Sequence, residues 1–295
     1  MIMNILNDIF GSFGTFSLYA PGVDANMDLR DLQSSGITAR KRVETVITPA
    51  VFGALLKEPE ESAMTEALRS AMANMTMATQ LVFDSINRRK NKIDVYKHEQ
   101  EAMKRAYTEN FSGAMDTLVK LLTDGEPSEG SPAGLWRKSR YYTLMAGCPI
   151  GSADGFDAVY PIDASCLYFF RTLPLQKECM DERMGAYFDK LTDDNRTQLE
   201  PMLLLALAKK TVAKSLRRFD LLEFPPTIRN LFEESNMFRH GSTEASDALS
   251  LADRLDREAD EAVAMADSVL ESIHTSDFSS FSAYNREDDN IIMMP

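Results

Sequence analysis

Cysteine is scarce in this chain: Cys148, Cys166 and Cys179 are the only three, and no two form a CxxC pair. So sparse and odd a set excludes a disulfide-stapled secreted scaffold and predicts reduced thiols in a cytosolic setting. Basic residues fall short as well. Against 45 Asp and Glu stand 32 Lys and Arg, a net charge of −13, and such a field repels phosphate backbones and anionic lipid surfaces. Non-specific nucleic-acid binding is therefore not expected. No window approaches the ~20 apolar residues of a membrane span. The opening MIMNILNDIFGSFG carries Asp8 and no basic stretch ahead of an apolar run, so neither a membrane partner nor an export signal is expected.

Catalytic signatures are missing too. The sequence holds no GxxxxGK(S/T), GxGxxG, GxSxG or HExxH, which removes the phosphate-cradling and hydrolase signatures. Histidine is limited to three residues. Glu271-x-x-His274 has the spacing of helical di-iron sites, but those need a second such pair and two further inward glutamates; no second ExxH is present. The acidic runs Glu58, Glu60, Glu61 and Asp193, Asp194 lack the Gly and Glu offsets of a calcium loop. Cys166 with His98 or His240 is the minimum for a thiol nucleophile, yet nothing in the sequence places them together, and a small buried cysteine is the plainer reading. Hence no catalytic residue, cofactor or metal is expected, and the chain is not read as an enzyme.

What is present is helix. Of the residues, 44% are apolar and 26% charged, a composition with enough apolar surface for a real core. Val43, Val46, Ile47, Val51 and Leu55 trace a first helical stripe, with Pro49 predicting a kink. Leu68, Met72, Met75, Thr79, Val82 and Phe83 continue the same spacing in a long second helix that ends on Arg88, Arg89 and Lys90. Met64, Met72, Met75 and Met77 read as core filling on that helix rather than as an adaptable groove. Past an extended KIDVY, Met103, Tyr107, Phe111, Leu118 and Leu121 form a third helix, stopped by Gly125 and Pro127. In YPIDASCLYFFRTLP, Tyr160 to Pro174, Asp163 or Ser165 caps a helix carrying Leu167, Phe170 and Leu173, and Pro174 breaks or bends it.

TQLE, Thr197 to Glu200, has the form of a capping box. The MLLLALA that follows, Met202 to Ala208, is predicted to be the most buried segment, and KKTVAKSLRR turns amphipathic and basic toward its end. Arg217 and Arg218 beside Phe219 read as helix-terminal charges rather than a nucleic-acid contact. FPPTIRNLF is predicted to be extended. From about Ala245 to Ile273, Ala252, Ala259 and Ala266 recur every seven residues, interleaved with Ala248, Leu255 and Ala262. That small-residue seam suits either another subunit or the chain's own domain.

The fold expectation is all-α: a multi-helix bundle of long amphipathic helices. It divides into an extended N-terminal arm over 1–35, helical halves over 36–147 and 148–240, an Ala-rich helix over 241–274 and a docking tail over 275–295. Two repeated halves are an open reading, because aligning Val43, Ile47 and Phe52 on Leu175, Cys179 and Met184 gives one register and aligning Pro49 on Pro174 another. In the tail, Phe278, Phe281, Tyr284, Ile291, Ile292, Met293 and Met294 punctuate an acidic, polar stretch too short to bury them alone. They are the candidate partner-binding residues.

Three stretches carry a family resemblance: FDAVYPIDASCLYFFRTLP (Phe156 to Pro174), FDLLEFPPTIR (Phe219 to Arg229), and KIDVYKHEQEAMKRAYTENFSGAMDTLVKLL followed by Trp136 and Ser139. Over Leu32 to Leu231 the chain resembles an all-helical family from Bacteroidetes phages and prophages. That family is similar in outline to the head-tail connector, adaptor or head-completion proteins of tailed phages. The resemblance implies a ring-forming virion subunit between portal and tail, present in the host cytoplasm before assembly, through which DNA passes without specific contacts. It brings no catalytic residues, and it leaves the helix after Gly241 unmatched. The competing expectation is a cytosolic helical module that binds a partner through its Met-rich or Ala-rich face.

Overall fold

The computed structural model describes residues 5–23, 27–90, 97–231 and 244–279, the side chains of residues 85–90, 97–98, 222, 244–245 and 273–279 excepted. It is all-helical, a bundle built on several long helices. In chain order these are α1 (Ile5–Phe10), α2 (Phe13–Tyr19), α3 (Gln33–Ile47), α4 (Pro49–Leu55), α5 (Ala63–Lys90), α6 (Lys97–Asp124), α7 (Pro132–Trp136), α8 (Arg140–Met145), α9 (Ala153–Val159), α10 (Cys166–Cys179), α11 (Gly185–Phe188), α12 (Arg196–Arg218), α13 (226–231) and α14 (Glu244–Ser279). Helices α5 and α6 pack as a long pair with α3 laid against α5. Helix α10 lies against α6, α8 and α12, and α12 packs along α14. Buried apolar side chains from Leu6 to Ala266 form one cluster.

The first stretch corrects the expected extended arm. Residues 5–19 are two short helices, with Leu6, Phe10 and Phe16 in the core. Ser12 Oγ caps α2 by accepting from Thr15 N. Polar contacts pin the segment to α5 and α6: Arg69 Nε donates to Ile9 O at 3.0 Å, Asn74 Nδ2 to Tyr19 O at 3.0 Å and Tyr107 OH to Pro21 O at 2.6 Å. A Cβ on Gly36 would stand 2.8 Å from Leu6, so glycine is what lets α3 lie against α1. Helices of one to two turns are too short to show periodicity, and tertiary burial stabilises them instead.

The expected kink at Pro49 is a full break. Thr48 adopts φ 77°, a region a β-branched residue rarely enters, and its side chain caps α4 by accepting from Val51 N. Pro49 takes the first helical position, where a missing N–H costs nothing. Pro174 does not break its helix: α10 is continuous through it and runs on into a π-turn at Met180–Met184. Proline forfeits one backbone bond there, roughly 3 kcal/mol, and the burial of Leu173, Leu175 and Gln176 around it offsets that loss. The two prolines thus occupy unlike settings.

Three further expectations are corrected. TQLE does not cap α12, which begins one residue earlier; Asn195 instead ties the incoming loop, its Oδ1 accepting from Thr192 N and its Nδ2 donating to Lys190 O. Glu200 pairs with Arg196. FPPTIRNLF is not extended throughout, since 226–231 is helical, with Pro225 O accepting from Arg229 N at 3.0 Å; prolines are tolerated where first-turn N–H groups lack an intrahelical acceptor. Within MLLLALA only Leu203, Ala206, Leu207 and Ala208 are buried, because α12 offers the core one face there, not every side.

Helix α14 settles where the small-residue seam faces. Ala248, Ala252, Leu255, Ala259, Val263 and Ala266 are buried against the chain's own core. Antiparallel ion pairs flank the contact with α12: Arg217 to Asp253 and Asp256, Lys210 to Asp256 and Asp260, and Lys209 to Glu258. Its outer face carries Leu249 and Met265, the latter 61% exposed. The helix runs to Ser279, past the expected end at 274. Among the described residues, no helix is long and apolar enough to cross a membrane.

Candidate functional site

The three stretches that carry the resemblance, far apart in sequence, meet at one junction. From α6, Asp116 Oδ1 accepts from Ser165 Oγ at 2.8 Å and from Leu167 N at 2.7 Å. Burial pushes the Asp116 carboxyl up, and those two donors pull it partly back. Ser165 in turn caps α10 by accepting from Tyr168 N, as expected. Asp163 takes a different part from the capping role proposed for it: its carboxylate accepts from Thr227 N at 2.9 Å and from Thr227 Oγ1, joining the α9–α10 loop to the start of α13. Also from α6, Glu109 pairs with the buried Arg229 of α13.

The loop itself is strained and held. Asp163 and Ala164 are consecutive left-handed residues, φ 56° and 48°, a conformation costing of order 1–3 kcal/mol each for non-glycine residues. Asp157 Oδ1 restrains them by accepting from Ala164 N at 3.0 Å and Ile162 N at 2.7 Å. Those backbone donors hold its carboxyl below the usual carboxylate value.

An aromatic cluster fills the other side of the junction. The Tyr168 ring packs on Phe224 at 5.8 Å and on Phe219 at 6.5 Å. The Arg171 guanidinium lies over the Phe219 ring at 5.1 Å and pairs with Glu223 at 3.0 Å, while Arg42 of α3 reaches the same Glu223 at 3.5 Å. One carboxylate is thus shared by two guanidiniums. Between α3, α5, α6, α10 and the Phe219–Glu223 segment lies a cavity of about 270 Å³, with Arg42, Lys104 and Arg171 on its rim and Met75, Phe111 and Leu167 on its wall. A second cavity, about 210 Å³, opens beside Asp116, Asp163 and Arg229.

Comparison with known proteins returns no matching family model, curated protein or solved structure.

Phe278 is in the last turn of α14, where side chains are not described, and Phe281, Tyr284, Ile291, Ile292, Met293 and Met294 lie outside the described residues. So does His240, and the same holds for the His98 and His274 side chains. Cys148, Cys166 and Cys179 are free thiols, each pushed up to about 11 by burial. Among the described residues, no group of three or more His, Cys, Asp and Glu is placed to hold a metal. Met72 and Met77 are buried and Met64 and Met75 pack against the core, the use expected of them. Arg217 and Arg218 are engaged with Asp253, Asp256 and Glu178. Sequence reasoning missed Asp116, Asp157 and Glu109, which look like solvated helix-face carboxylates until their distant partners are in place.

Proposed function

We propose that this chain is a structural assembly subunit, resembling the head-tail connectors and adaptors that join portal to tail in tailed phages and prophages. The observation that carries the reading is the junction: the three stretches behind the resemblance interlock through Asp116, Asp163, Glu109 and the Tyr168–Phe219–Phe224 cluster. Their polar side chains are spent on positioning helices, as suits a rigid building block. In this reading the chain forms a homo-oligomeric ring in the host cytoplasm and then in the virion, with portal and tail proteins as neighbours. DNA passes through the lumen without specific contacts, and the net charge of −13 keeps phosphates from adhering to it. The chain is a scaffold in this reading, not an enzyme.

Native mass spectrometry and negative-stain imaging of the purified chain test this directly. Closed rings of one stoichiometry support it. A monomer at all concentrations, encoded away from portal, terminase or capsid genes, favours the second reading, a helical module whose exposed Leu249 and Met265 on α14 face a partner.

A further inference from the structure

The cavity of about 270 Å³ is more specific than a packing gap. It lies just below the range for ligand sites, roughly 300–1,000 Å³, a size that takes a few side chains rather than a domain. Its wall carries apolar Met75, Phe111 and Leu167 among the hydroxyls of Thr79, Thr108 and Ser112, and its rim is charged. Three cations, Arg42, Lys104 and Arg171, face two carboxylates, Asp220 and Glu223, so one positive charge is left over in a chain that is otherwise strongly negative. A fitting occupant is therefore apolar at one end and acidic at the other.

The chain contains such a segment. Glu287, Asp288 and Asp289 outnumber Arg286, and Ile291, Ile292, Met293 and Met294 follow them. We infer that the cavity receives this segment from a second copy of the chain, Ile291 to Met294 seating on the apolar wall and Glu287 to Asp289 meeting the Arg42, Lys104 and Arg171 rim. The inference rests on the assembly reading above and names its contact.

Distance favours a second copy over the chain's own segment. The cavity adjoins the N-terminal end of α14, since Phe219 and Asp220 line both it and the neighbouring cleft that holds Ala248 and Leu249. From Leu249 to Ser279 the helix carries the chain about 45 Å away at ~1.5 Å per residue. Met293 lies fourteen positions beyond Ser279, a reach of at most about 50 Å even fully extended. Doubling back would consume all but about 5 Å of it, too little to cross from α14 and seat Ile291 to Met294 in the cavity. A head-to-tail neighbour removes that demand, and repeating the contact around a ring compensates for the weakness of a single short segment.

The test uses the full chain with Ile292 replaced by the photo-crosslinker p-benzoylphenylalanine. Equal amounts of unlabelled and ¹⁵N-labelled protein are mixed, assembled and irradiated, and cross-linked peptides are mapped by mass spectrometry. Cross-links to the peptides holding Met75 or Phe111 are expected, roughly half of them joining light to heavy chains if neighbours mix at random. Both Arg171→Glu and the exposed Lys104→Glu should lower their yield about tenfold, and Asp288→Lys with Asp289→Lys should restore it in the Lys104→Glu background. Cross-links only within one isotope label, at another surface, or indifferent to all these charge reversals overturn the inference. Rings that form without cavity cross-links overturn it while leaving the assembly reading standing; a chain that stays monomeric overturns both.

Discussion

Tyr168 and Ser215, forty-seven positions apart, share a buried hydrogen bond of 2.7 Å between their hydroxyls. Because Ser215 Oγ donates to Val212 O, also at 2.7 Å, the tyrosine is the donor to Ser215. This contact ties α10 to α12 beside the aromatic cluster that Tyr168 forms with Phe219 and Phe224. Burial raises the Tyr168 phenol far above its ordinary value, so it remains a donor throughout the physiological range. Tyr168→Phe should cost about 1 kcal/mol, the net worth of a neutral hydrogen bond, and Tyr168→Ala about 3–5 kcal/mol through the cavity left behind. Urea unfolding of the two variants checks the ordering; equal losses would mean that the hydroxyl, not the ring, dominates.

On α12 the apolar face is narrower than the run of leucines implies. Leu207 is fully buried and Leu204 only partly. Leu207→Ala should therefore destabilise by about 2–5 kcal/mol and Leu204→Ala by clearly less. Melting temperatures of the pair, read by circular dichroism, decide it.

The seam between α12 and α14 leaves no space at its alanines. Ala259 is fully buried there, so Ala259→Leu should cost about 1–3 kcal/mol by overpacking, whereas Met265→Leu on the exposed face should be near neutral. Denaturation midpoints that reverse this order would place the outer face of α14, not the seam, against the core.

Glu178 sits between Arg218, at 2.5 and 2.8 Å, and Lys214, at 2.8 Å. Hydrogen bonds from Arg218 first and Lys214 second hold its carboxyl down to about 2, from an ordinary 4.5. A carboxylate depressed in the folded state stabilises fully above its unfolded pKa and loses that contribution as pH falls through the folded one. Glu178 is a third exposed, so solvent screening keeps the effect small. The stability gap between the native chain and Glu178→Gln should therefore close as pH drops from about 5 to about 2. A gap unchanged over that window, measured by thermal melts, would remove the pairing from the stability of α10 against α12.

Thiols pushed up to about 11 carry little thiolate near neutral pH. All three cysteines should label with a disulfide reagent at pH 7.5 more slowly than free cysteine, and react fully in urea. Cys166→Ser should leave the proposed assembly, read by native mass spectrometry, unchanged. Fast native labelling at Cys166 would instead mark an activated site.

Much of the helical architecture was legible in the residues, because a stripe of period 3.6 sustained over many turns can be satisfied only by a helix laid on a core. That held for α5 with its Leu68, Met72 and Met75, for α6 up to Gly125, and for the alanine heptads of α14. Short elements were not legible. Helices α1, α2, α7 and α13 span too few turns for a stripe to repeat, and the capping box at Thr197 lost to a loop that Asn195 had already tied down. The candidate site was hidden for a related reason: Asp116 and Leu167, Asp163 and Thr227, and Glu109 and Arg229 bond across large separations in sequence, and a carboxylate on a helix reads the same whether it meets water or a distant N–H.

By itself, then, the sequence determined the helical class, the long helices and much of the face that α5 and α6 bury, since local backbone geometry converts residue spacing into a face; it did not fix how wide that face is, for Val82 and Phe83 of the same stripe are exposed. Only the tertiary structure decided what covers that face. It turned the small-residue seam of α14 inward onto α12, kept α10 continuous through an exposed Pro174 whose neighbours Leu173, Leu175 and Gln176 are buried, and drew three separate motifs into one junction. Period and propensity act over neighbouring turns, whereas burial and hydrogen-bond satisfaction are settled by whichever groups the folded chain brings together.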